Sequence, residues 1–300
     1  LRRLQTGPTE PATTLCRMSL GLRRRQQPIF KPRTRWTRRL AIAAAVVGRA
    51  ARCLTCGGGP PACPRGEGPL PAGAALGSDG CAACRGCVEA CPSGAREVAG
   101  RRVTVDEVVA EALRDRAVYE ESGGGVTFSG GEPLGQPAFL RAALAACRRE
   151  GLHVALDTCG FAARETLAAA ASLANLLLSG AKTLDPKRHR ELTGVPLEPI
   201  LENLSAVSRA GARIWLRLPV IPGVNDDPES VARAAALAGQ TPGVERVGLL
   251  PYHSTASGKR ERLARAQAAA FPAAVSPSPE RMASLAALFA PTGVPVTIGG

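Results

Sequence analysis

Three hundred residues suffice for one large α/β domain with a full core, alone or with a small appendage. The formal charge of +13 suggests nucleic acid or a membrane surface, but residues 1–50 carry eleven Arg, one Lys and one Glu, a net +11, leaving +2 for the other 250 residues. Basicity so confined excludes a protein-wide electrostatic role, so no nucleic-acid or membrane partner is expected; nucleic-acid contact by the basic segment alone is a minor reading.

Residues 1–52 read as an atypical basic segment, disordered or frameshifted. Its apolar run, 40–47 after Arg38-Arg39, is far shorter than the roughly 20 residues that span a bilayer. From residue 104 onward, amphipathic helices alternate with short apolar strands. Thr104-x-x-Glu107 is a capping box, and Val105, Val108, Val109, Ala112 and Leu113 recur at helical spacing, predicting a helix to about 121. A strand over 125–129, a helix over 137–150, a strand over 153–157, a helix over 163–173 and an apolar run at 176–178 follow. Then come helix 197–210, strand 214–221, helix 228–238, strand 244–250, helix 278–289 and a last apolar run at 294–298. Repeated βα units of this length build a parallel sheet, closed or partly closed into a barrel, with its chemistry at the C-terminal ends of the strands. The polar residues fall there: Gly130-Gly131-Glu132-Pro133, Asp157-Thr158, Lys182, Asn225-Asp226 and Tyr252-His253.

Five glycines crowd the twelve residues 122–133. Glycine is entropically costly, so this backbone is approached closely or held in a strained turn.

Eight of the ten cysteines are Cys16 and the seven between 53 and 91. Disulfide scaffolds are small and loop-rich, whereas this chain continues into a long α/β body, so metal or cluster ligation in a reducing compartment is the better reading. Cys81, Cys84, Cys87 and Cys91-Pro92 form C-x2-C-x2-C-x3-C-P, the bacterial ferredoxin run that holds a [4Fe–4S] cube. Zinc is the alternative for paired C-x-x-C units, but the interleaved third cysteine and the terminal Cys-Pro favour iron and sulfur. Upstream, Cys53, Cys56 and Cys63-Pro64 repeat the spacing with Gly59 in place of a third cysteine. In two-cluster ferredoxins the fourth cysteine of each run ligates the other cube. On that rule Cys81, Cys84, Cys87 and Cys63 complete one cube, while Cys53, Cys56 and Cys91 leave a second cube one ligand short.

The segments CAACRGCVEACPSGA, SGGGVTFSGGEPLGQ, LDTCGF, DPKRHRELTG, LRLPVIPGVND and LLPYH, in this order, resemble the glycyl-radical-enzyme activating proteins, the radical S-adenosylmethionine group that includes pyruvate formate-lyase activating enzyme. The resemblance covers roughly 81–260. It implies an α/β fold, a partial (βα)6 TIM-like barrel, with a ferredoxin-like [4Fe–4S] insert over 53–100 and the barrel over 101–300. The implied cofactors are S-adenosyl-L-methionine and a [4Fe–4S] cluster. The implied partners are a glycyl radical enzyme as protein substrate and a flavodoxin or ferredoxin as electron donor, in an anaerobic cytoplasm. By the same carry-over, the turn of Gly130, Gly131 and Glu132 offers main-chain groups to the methionine ammonium, and Asp157 and Thr158 lie near its carboxylate. Lys182 and Arg217 face the ligand's polar groups, with His253 at its methionine or ribose end; these three are the expected catalytic residues. Asp157 has a plainer reading as a helix N-cap, and Lys182, Arg217 and His253 as ordinary solvated residues.

This chain departs from the family at its radical-cluster motif, C-x3-C-x2-C. Cys16 has the right context, but Leu20 and Arg23 hold the next two ligand positions; in the other placement, ending in Cys53 and Cys56, Arg49 replaces the first ligand. Gly180 stands where relatives carry aspartate two residues before Lys182, and Arg260 where they place tyrosine. Residues from about 17 to 52 therefore read as a shifted reading frame, which resequencing of the coding DNA tests. Two other readings remain open: a radical S-adenosylmethionine enzyme acting on a small molecule, and a non-catalytic iron–sulfur protein that carries electrons or binds a partner.

Overall fold

A computed structural model describes residues 45–48, 54, 56, 75–76, 86–99, 103–130, 132–252 and 276–299. Two sheets are present among them. The smaller is antiparallel, with β1 (Ala45–Gly48) between β2 (Ala75–Leu76) and β3 (Arg96–Ala99), and the short helix α1 (Gly86–Glu89) precedes β3. The pairing of Ala45 with Ala99 carries this sheet back before Cys53, into the stretch read from sequence as atypical.

The larger sheet has six parallel strands in sequential order: β4 (Val126–Phe128), β5 (Val154–Thr158), β6 (Leu176–Gly180), β7 (Ile214–Val220), β8 (Val244–Pro251) and β9 (Val296–Ile298). Helices α2 (Val105–Leu113) and α3 (Arg116–Ser122) lead into it. Crossovers run through α4 (Pro137–Arg149), α5 (Arg164–Ala171), α6 (Pro186–Thr193), α7 (Glu198–Arg209), α8 (Pro228–Gln240) and α9 (Pro279–Ala287). The expected partial barrel is the fold observed: among the described residues, β4 and β9 are its outer strands.

Two predicted boundaries changed for physical reasons. The helix expected to run from 104 to about 121 starts at its capping box but breaks after Leu113, because Arg114, Asp115 and Arg116 put three charged residues where the apolar stripe should continue. Conversely, α6 had no apolar stripe to announce it. Asp185 caps it, its carboxylate accepting from Arg188 N at 2.7 Å; Pro186 opens it and Gly194 in the left-handed region ends it.

Strand period sorts the site from the core. Along β7, Ile214, Leu216, Leu218 and Val220 are buried against the helices, while Trp215, Arg217 and Pro219 face the concave side and stay half-buried. The helix side carries the main core, including Phe128, Leu144, Leu156, Leu167, Leu249, Met282 and Phe289. On the concave side Ala155, Leu176 and Leu178 form a small apolar floor against Trp215, whose ring lies under the Arg246 guanidinium at 4.4 Å.

Candidate ligand rim at the strand ends

The C-terminal ends of β4 to β7 gather most of the described residues expected to act. The glycine-rich stretch divides into separate tasks. A Cβ on Gly125 would stand 2.1 Å from the main-chain oxygen of His153, so this glycine lets β4 lie against β5. Gly130 has φ 141°, a region that side chains disfavour, and it forms the turn that leaves β4. The sequence reading expected a close approach or a strained turn without telling the glycines apart; Gly125 answers to the first, its neighbour being a strand, and Gly130 to the second. Gly131 lies outside the described residues.

Glu132 is 5% exposed, and its carboxylate accepts three hydrogen bonds. Leu134 N and the Thr158 hydroxyl donate to Oε1 at 3.1 and 2.6 Å, and Cys159 N donates to Oε2 at 2.9 Å. Thr158 Oγ1 in turn accepts from Gly160 N at 3.0 Å. Glu132 therefore clamps the turn after β4 to the loop after β5. Both side chains, expected from the resemblance to lie near ligand, are engaged in joining two rim loops.

Asp157 occupies the concave face, and Arg217 Nη1 donates to its Oδ2 at 2.5 Å. This contact spans β6, on which Gly180 is the register partner of Arg217. The plainer reading of Asp157 as a helix cap fails: Ala163 occupies the N-cap of α5. A Cβ built on Gly180 would lie 3.4 Å from Lys182 Nζ, so the lysine folds back over this glycine. Burial holds the Lys182 ammonium below its ordinary range, against the opposing pull of the Asp157 carboxylate. Cys159, which sequence reading passed over, stands between Glu132 and Lys182; burial first, then the Glu132 carboxylate, pushes its thiol up to about 12. The rim thus holds two cations and two carboxylates near the turn at Gly130. A ligand bearing both an ammonium and a carboxylate meets partners of both signs there.

Two buried asparagines brace these loops; Asn225 is among the polar residues expected at the strand ends, whereas Asn203 was not singled out from sequence, because a lone Asn carries no spacing signal. Asn203 Nδ2 donates to Gly160 O and Ala162 O, both at 2.9 Å, tying the loop after β5 to α7. Asn225 ties the loop after β6 to the end of β7.

Of the cysteines expected to bind metal, Cys16, Cys53, Cys63, Cys81 and Cys84 lie outside the described residues, as does His253. Cys56 is exposed, Cys87 is buried in α1 and Cys91 is half-buried. Burial raises the Cys91 thiol, but hydrogen bonds from the Ser93 side chain and the backbone at Arg96, Ala95 and Ser93 outweigh it and bring the thiol below its ordinary range. Such donors suit a thiolate ligand of a cluster. Among the described residues alone, no three His, Cys, Asp or Glu side chains converge to hold a metal ion.

The sequence pattern of the radical SAM superfamily matches residues 79–235. The chain is 44% identical over 181 residues to the isethionate sulfite-lyase activating enzyme of Nitratidesulfovibrio vulgaris, covering 60% of this chain and 58% of that one. It is 36% identical over 208 residues to the trans-4-hydroxy-L-proline dehydratase activating enzyme of Clostridioides difficile, covering 69% and 68%. The chain therefore spans less than two thirds of the first of these relatives. Among solved structures, a domain of pyruvate-formate lyase-activating enzyme from Bacteroides vulgatus superposes with a TM-score of 0.51 at 34% identity, covering 59% of this chain and all of that domain. With over half its length in that pattern, and with such relatives, the chain belongs to the radical SAM superfamily, among the activating enzymes of glycyl radical enzymes.

Proposed function

We propose that this chain has the body of an activating enzyme: a rim that holds S-adenosylmethionine by its methionine end, beside an iron–sulfur insert, the arrangement that in a competent enzyme serves radical transfer to a glycine of a partner. The convergence of Lys182, Arg217 and Asp157 beside the turn at Gly130 carries this reading. Lys182 and Arg217 supply positive charge for the ligand's carboxylate. Asp157, oriented by Arg217, supplies an acceptor, and the bare turn at Gly130 brings main-chain groups close to the ammonium. Burial of Lys182 strengthens its attraction for an anion by keeping water away.

In a competent member of the family, a bound [4Fe–4S] cluster would supply the one-electron reduction of the ligand's sulfonium, and the rim residues Lys182, Arg217 and Asp157 would hold the methionine end in place for it. The hydrogen-bond donors around Cys91 suit the insert to a cluster. The radical-cluster donor set does not fit: Cys16 is followed by Leu20 and Arg23 at the remaining ligand positions. The chain as written therefore binds S-adenosylmethionine weakly and does not cleave it. A glycyl radical enzyme as partner, a flavodoxin or ferredoxin as donor, and an anaerobic cytoplasmic setting belong to the same reading. Among the described residues, no helix is long and apolar enough to cross a membrane.

Anaerobic reconstitution and reduction, followed by assay for 5′-deoxyadenosine, tests this. Saturable ligand binding without 5′-deoxyadenosine is expected. Appearance of 5′-deoxyadenosine overturns the loss of cleavage, and absence of binding overturns the assignment of the rim.

A further inference from the structure

We propose that Asn225 is the positioning residue for Lys182, setting where its ammonium stands in the rim. Asn225 is 2% exposed and sits in the loop after β7. Its Nδ2 donates to Lys182 O at 2.6 Å and to Pro219 O at 2.7 Å, while Ile221 N donates to its Oδ1 at 2.7 Å. One amide thus joins the loop that carries Lys182 to the strand that carries Arg217. Both amide hydrogens and the amide oxygen are satisfied, so the group has a single low-energy orientation.

The contact matters because of how Lys182 reaches the site. Its Nζ folds back over Gly180, which offers no side chain to guide it, and comes among Asp157, Cys159, Arg217 and Glu132. Glu132, Thr158 and Asn203 hold the loops on the β5 side. On the β6 side, Asn225 holds the lysine's own carbonyl. Without the amide, Lys182 O and Pro219 O lose a buried donor, and the loop shifts to hydrate them.

The inference rests on Lys182 belonging to the ligand rim, but its main test needs no ligand, so the two can fail separately. In the full chain, the pH dependence of Lys182 labelling by reductive methylation is followed by mass spectrometry. Asn225→Ala is compared with Asn203→Ala, which removes an equally buried amide from the neighbouring loop. Asn225→Ala should move the Lys182 midpoint up toward that of a free lysine, and Asn203→Ala should leave it in place. Asn225→Ser replaces the alanine variant should that one not fold. An unchanged midpoint in a folded Asn225 variant, or an equal shift in Asn203→Ala, overturns the proposal. So does failure of both Asn225 variants to fold while Asn203→Ala folds, because Asn225 is then a core residue. In a second arm, Asn225→Ala should weaken S-adenosylmethionine binding about tenfold, the scale of one lost hydrogen bond, and have no such effect in a Lys182→Met background.

Discussion

Replacing Glu132 by alanine should unlock the rim from the β4 side. Three donors face its carboxylate, at 3.1, 2.6 and 2.9 Å, in a setting where the residue is 5% exposed. Each hydrogen bond to a charged acceptor contributes about 1.5–3 kcal/mol, but the three share one group and do not add in full. The Thr158 hydroxyl can turn to another acceptor, whereas the amides of Leu134 and Cys159 cannot. Two orphaned buried amides and the lost charge together amount to about 3–5 kcal/mol, a large part of a typical domain's stability of about 5–15 kcal/mol. Glu132→Gln keeps the oxygen for Thr158 and Leu134 but turns an NH2 toward the Cys159 amide, so it should lose about 1–3 kcal/mol. Urea unfolding followed by circular dichroism measures both. A loss below about 1 kcal/mol for the alanine variant, or equal losses for both variants, would refute the clamp.

Gly125→Ala should destabilise the β4–β5 edge by about 2–3 kcal/mol, since its Cβ meets the His153 carbonyl at 2.1 Å; a neutral result in thermal unfolding would contradict the close approach. Arg217→Met breaks the Asp157 pair, and because that pair is half-exposed the expected stability loss is only about 1 kcal/mol. Stability should also fall at alkaline pH. Burial pushes Cys147 and Cys159 up to about 12 from an ordinary 9.0, so the unfolded thiols ionise first. Their contribution is full below about pH 9 and declines as pH rises toward 12. Urea midpoints at about pH 8 and about pH 10 check this, and Cys147→Ala should lessen the fall; equal midpoints in the native chain would contradict it.

The elements were legible where side-chain period was strong. Each of the six barrel strands was foreseen within a few residues, because β7 alternates buried and half-buried positions along its length and β5 and β6 are short apolar runs. What depends on partners distant in sequence was not. Asp157 and Arg217 meet across an intervening strand, a pairing that only the order and register of β5, β6 and β7 brings about. Asn203 looked like an ordinary polar residue until the loop it braces was in place, and the expected strand-end position of Asn225 did not reveal the two carbonyls it joins. Helix α6 escaped notice because its cap and its terminal glycine, rather than an apolar stripe, define it. Gly125 and Gly130 flank the same strand but answer to different demands, close approach to a backbone carbonyl and a turn at positive φ.

Titration calorimetry of the full chain with S-adenosylmethionine, repeated with Arg217→Met, bears most directly on the rim. One saturable site is predicted, weakened at least about tenfold, or about 1.4 kcal/mol, by the substitution. No heat of binding to the native chain, or an affinity untouched by Arg217→Met, would contradict the account.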